Sequence, residues 1–193
     1  MDFSKYIACI CEGTAEQVII NILLDNNKLI FDRKDLLEED VLRSRSGQKF
    51  EQQYLRKGFD DKITVLRILD SRNENFKISR AYQHKIDVIN IITAPEIEML
   101  IICNENKYED YKKSKKKPSS YCKEDLSYKN VKSKTFITEY FEDVDSLINA
   151  IKEYKRVSNI PNHESSLFDL LKKRINRKNK AEDMKIVLSF WLF

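Results

Sequence analysis

Residues 6–24 read YIACICEGTAEQVIINILL, and the change of period within this stretch decides the fold. Tyr6–Cys11 is a short apolar run without helix breakers, closed by Glu12-Gly13, which predicts a buried strand and a tight turn. Thr14 and Gln17 have the spacing of a capping box, and Val18, Ile19, Ile22 and Leu23 fall on one helical face, so a helix is predicted to begin near Ala15. Glu12 then stands at the carboxyl end of a strand, and Glu16 stands in the first turn of the helix that follows. Open α/β sheets build their ligand sites at this end of their strands.

The same pattern recurs twice. Ile63–Leu69 (ITVLRIL) is a second apolar strand and runs into Asp70-Ser71-Arg72. Ile86–Ile92 (IDVINII) is a third, followed by Thr93 and Glu96 at capping-box spacing around Pro95, which the first helical turn tolerates. Three units of strand, acidic end and helix predict an α/β fold: a mostly parallel sheet flanked by helices, with its acidic ends along one edge. Farther on, Val144–Arg156 carries Leu147, Ile148 and Ile151 as an apolar stripe behind a cap at Asp143 or Asp145, and Glu164–Arg177 places Leu167, Leu170 and Leu171 inward. Residues 1–130 are therefore expected to form the α/β core, and residues 131–193 a C-terminal extension, mainly helical, packed on it. The final VLSFWLF is too apolar to stand in water and is expected to cover the domain or a partner, which gives a route to an oligomer.

Composition narrows the classes. Of 193 residues, 41% are apolar and 34% charged, with 3 glycines and 3 prolines, which fits a globular core without long flexible linkers. A net charge of +4 says little about nucleic acid; the local distribution matters more. No apolar run has membrane-spanning length and no charged-then-apolar leader opens the chain, so a soluble, cytoplasmic protein with no membrane partner is expected. Cys9, Cys11, Cys103 and Cys122 show no paired metal spacing and read as buried free thiols.

Chemistry concentrates in the acids. Glu12, Glu16, Asp70, Glu96 and Glu98 are hard oxygen ligands suited to Mg²⁺ or Mn²⁺, ions that keep several waters while binding substrate phosphates. Glu96 and Glu98 face different sides of a helix, and Glu98 is preferred because Glu96 can cap with Thr93. Arg43 and Arg45 flank a turn and offer planar forks to phosphate oxygens, although such residues are also commonly just solvated. Tyr108 to Lys123 reads YEDYKKSKKKPSSYCK. Its Lys112, Lys113, Lys115, Lys116 and Lys117, interleaved with tyrosines, either track a phosphate backbone or form a solvated helix end.

The order of these acids adds a resemblance. A strand followed by CEGTAE is similar to the opening motif of TOPRIM domains, above all the compact ones of bacterial defence, the OLD-type nucleases and the RloB-like proteins. ILDSR stands where that family places a second acidic motif, and TAPEIEMLIIC resembles its strand-to-helix segment; the likeness runs from Tyr6 to Leu126. It implies a TOPRIM-like, Mg²⁺- or Mn²⁺-dependent nuclease cutting DNA or RNA in an anti-phage system. Glu12 would be general base or metal ligand, Glu16 and Asp70 ligands, with Glu98 or Glu96 completing the site, and Glu12 and Asp70 would carry catalysis. Arg72 departs from the pattern, standing where many members place an aspartate. It would remove one ligand and either hold a phosphate or bridge to a carboxylate. The family also implies a separate ATPase partner, since no GxxxxGK[ST] loop occurs here. The alternative is a non-catalytic TOPRIM-like module that binds or assembles within such a complex.

Overall fold

A computed structural model of the chain describes residues 1–43, 46–56, 61–72, 75–93, 97–161 and 163–173. The three predicted strands form at the predicted positions: β1 is Tyr6–Cys11, β2 is Ile63–Leu69 and β3 is Ile86–Ile92. They make a three-stranded sheet in the order β1-β2-β3, and both pairings are parallel. Cys11 lies opposite Ile68, and Ile68 opposite Ile91, so all three strands end at one edge.

Alternation along each strand explains why both faces must be covered. Ile7, Cys9, Cys11, Leu66, Ile68 and Ile91 enter the larger core, where helices pack on the sheet. Ala8, Ile10, Ile63, Val65 and Ile86 face the other way, into a smaller core built around Phe50, Tyr54 and Leu55. The four cysteines are buried and free, as their residue type and spacing predict. β1 and β3 are the two outer strands; β1 is covered by the bridges at Leu36 and Leu42, whereas Val88 on β3 is exposed.

The first helix, α1 (Thr14–Asp25), buries Ala15, Val18, Ile19, Ile20, Leu23 and Leu24. Asn27 just beyond it takes φ 53°, a left-handed conformation that asparagine tolerates at helix ends. The predicted capping box does not form. Gly13 is the N-cap, its backbone is extended (φ −118°, ψ 171°), and no side chain caps the turn. The next segment folds as short 3₁₀ turns followed by α2 (Gly47–Phe50), which continues as a π-helical turn over Glu51–Leu55. Here Leu36 and Leu42 are drawn into bridges beside β1, at Ile7 and Ile10, and pairing with the sheet wins over local helix propensity.

Helices α3 (Glu98–Asn104), α4 (Tyr108–Ser114), α5 (Pro118–Glu124), α6 (Lys134–Tyr140) and α7 (Val144–Val157) complete the layer. In α7 the Asp143 carboxylate accepts from the backbone N–H groups of Asp145 and Ser146, both at 3.1 Å, and Leu147, Ala150, Ile151 and Tyr154 form the buried stripe. Residues from α6 and α7 share one core with β1 and α3. The expected helix over Glu164–Arg177 is, in its described part, a single 3₁₀ turn at Leu167–Leu170, closed by a Ser166–Asp169 capping box. The remainder of it, and the apolar C-terminal stretch, lie outside the described residues.

A carboxylate rim at the ends of the strands

The candidate site grows from the parallel register. Because β1 and β2 end side by side, Glu12 and Asp70 leave the sheet as neighbours. The Glu12 backbone N–H donates to Ile68 O at 3.1 Å, and Glu12 Oε2 accepts from the Asp70 backbone N–H at 3.3 Å. Thr93, just past β3, continues the row: its N–H and its hydroxyl both donate to Leu69 O, at 2.8 and 2.9 Å.

Glu16 approaches from the first turn of α1. It is buried, and its carboxylate folds back over Gly13 so closely that a Cβ there would collide with Oε2. The glycine is thus required for space rather than for its backbone torsion. Burial pushes the Glu16 carboxyl above the ordinary glutamate value and the charge of Asp70 adds to the rise, while backbone N–H groups and the charge of Lys132 pull the other way. The net direction is upward, so desolvation outweighs the helix N-terminus at this position.

Glu98, at the start of α3, is buried with 2% of its surface exposed, and its Oε2 lies 3.3 Å from Lys132 Nζ. Lys132 therefore stands between Glu98 and Glu16 electrostatically. Nothing in the sequence singled it out, because the pair it makes spans most of the helical layer. Glu96 lies outside the described residues, as does Arg45.

The remaining basic candidates divide. Arg43 stands beside the rim: its Nε donates to Gln17 Oε1 at 2.7 Å and its charge reaches Cys11, the last residue of β1. Arg72 realises the carboxylate bridge, with Nε and Nη2 forked onto the two oxygens of Glu164 at 2.7 and 2.8 Å. That fork pulls the Glu164 carboxyl below its ordinary value. Lys112, Lys113, Lys115 and Lys117 are exposed on and after α4, and Lys116 pairs with Glu124 and Asp125 at 3.0 and 2.7 Å. The interleaved tyrosines are not free stacking faces. Tyr111 packs edge-on against Tyr121 at 5.5 Å, Tyr108 donates to Val157 O, and Tyr121 is buried.

The residues thus define a parallel α/β protein with an acidic rim of Glu12, Glu16 and Asp70. Among the described residues no three His, Cys, Asp or Glu side chains are grouped so as to hold a metal ion by themselves, and no described helix is long and apolar enough to cross a membrane. Comparison with known proteins yields no match: no family model, curated protein or solved structure is significantly similar to the chain.

Proposed function

We propose that the chain is a divalent-cation-dependent phosphodiesterase, a TOPRIM-like nuclease of DNA or RNA serving anti-phage defence, with its centre at Glu12, Glu16 and Asp70. The observation that carries this reading is the 3.3 Å hydrogen bond from the Asp70 N–H to Glu12, which brings acids 58 positions apart onto one rim. Glu16 and Asp70 are close enough that one charge raises the other's pKa. Mg²⁺ asks for only one or two protein carboxylates, the rest of its shell being water and substrate phosphate. Glu16 and Asp70 would hold the ion, and its contribution when bound is to neutralise charge on the phosphoryl oxygens.

The chain's own residues supply the rest. Glu12, with Oε2 held by the Asp70 N–H, would take a proton from the attacking water. The water oxygen bonds to phosphorus, the bond from phosphorus to the leaving oxygen breaks, and that oxygen is protonated from solvent. Arg43 would meet the substrate's outer phosphate oxygens. A digestion panel of single- and double-stranded DNA and RNA with Mn²⁺ tests this. Wild type should cut at least one polymer, and Glu12→Gln and Asp70→Asn should slow cutting about 100-fold or more. Failure to cut any of them, or undiminished rates in both variants, would overturn it.

A second reading, a binding or assembly module acting beside a separate ATPase, is favoured by one observation. Arg72, at the position where the TOPRIM pattern has an acid, is committed to Glu164 rather than turned to a ligand.

A further inference from the structure

We infer that the groove between α5 and the 126–132 loop is a subsite for the phosphodiester backbone of a nucleic-acid strand. The inference rests on the nuclease reading for its ligand class, but binding there stands or falls separately. The groove encloses about 580 Å³, with Ser119, Lys123, Tyr128, Lys129, Asn130 and Lys132 on its walls and Glu98 at its buried end.

Three features set its ligand class. The walls carry three lysines against one carboxylate, and that carboxylate is already faced by Lys132 at 3.3 Å. Among the described residues Lys123 and Lys129 have no carboxylate within 4.0 Å, whereas Lys116 in the preceding run is held by two. Lys123 and Lys129 are exposed on the open side, while Lys132 reaches inward toward Glu98 and acts on Glu16. Lysines are point charges that accept a phosphate in many orientations, and Ser119 and Asn130 add neutral hydrogen-bonding groups. Tyr128 offers no open ring for stacking a base, since its hydroxyl donates to Glu105 at 2.9 Å and its ring packs on Phe136 and Tyr140. Such walls suit a run of phosphates more than a planar base. The loop holds its shape through left-handed residues at Ser127 (φ 61°) and Asn130 (φ 55°), which turn Lys129 and Lys132 to the same groove.

Fluorescence anisotropy of labelled single-stranded DNA and RNA oligonucleotides, in EDTA so that no cutting occurs, tests the subsite on the full chain. The double variant Lys123→Ala/Lys129→Ala is compared with Lys112→Ala/Lys113→Ala, and melting curves check that both remain folded. The groove variant should weaken binding about tenfold and flatten the slope of log K against log salt by about 1.4, two phosphate contacts at roughly 0.7 each. The α4 variant should stay within about twofold. Equal losses in the two variants, a loss confined to the α4 variant, or no oligonucleotide binding by wild type would overturn the inference. Groove-dependent binding without cutting in Mn²⁺ would overturn the nuclease reading alone; cutting indifferent to the groove variant would overturn the subsite alone.

Discussion

Gly13 and Glu16 are one device. The glycine leaves the space into which the Glu16 carboxylate folds, and the colliding atom is the far end of a flexible side chain. Gly13→Ala should therefore cost little stability, within about 1 kcal/mol, yet expel the carboxylate from the rim. The expected result is a near-normal melting temperature with divalent-ion affinity down about tenfold; a large loss of stability with affinity intact would contradict it. Glu16 itself titrates in a defined direction. Burial raises its pKa in the fold above 4.5, so the protonated form is favoured by folding and stability is lost as pH rises through the raised value. Glu16→Gln cannot ionise. Without metal it should melt higher than wild type at pH 7, by on the order of 1 kcal/mol, with the difference fading below about pH 4.5. Saturating Mn²⁺ should reverse the order by stabilising only the wild type. Melting curves at pH 4 and pH 7, with and without Mn²⁺, check both signs.

The strands were legible in the sequence and the helix ends mostly were not. Tyr6–Cys11 and Ile63–Leu69 are buried along nearly their whole length because both of their faces are covered, whereas Ile86–Ile92 is buried only at its ends; the apolar runs mark all three without tertiary knowledge. Asp143 was readable as one of two caps, with Asp145 the other, because the bonds it makes are local. Thr14 does not cap because the helix begins one residue earlier than its spacing with Gln17 implies: Gly13 is the N-cap, and it is Glu16, three residues on, whose carboxylate meets the backbone N–H groups of the first turn. Pairs such as Lys132 with Glu98 and Arg72 with Glu164 join distant positions and leave no local trace. Arg72 with Glu164 ties the end of β2 to the segment whose Ser165 carbonyl accepts the Ile92 N–H at 2.8 Å. Glu164→Ala should free that strap: hydrogen exchange should rise roughly tenfold across 163–171 and stay unchanged in β1, with a stability loss of about 1 kcal/mol for a pair whose arginine is open to solvent. Unchanged exchange there would show that the bridge does not fasten the segment.

Over the whole molecule, the order β1-β2-β3 and its parallel register do what the repeated strand-and-acid pattern required: they carry Glu12 and Asp70 to one edge. The helical layer α3–α7 packs on the sheet and adds the buried Glu98, which the sequence already offered as a site acid, together with Lys132, which it did not single out. Two carboxylates brought within each other's field, one of them buried, store a repulsion that a dication would relieve. The account depends on that pair accepting one. Calorimetric titration of Mn²⁺ into wild type, Asp70→Asn and Glu16→Gln measures this directly. The rim predicts saturable binding to wild type and at least about tenfold weaker binding, 1.4 kcal/mol, in each variant; no binding to wild type, or equal affinity in all three, would contradict it.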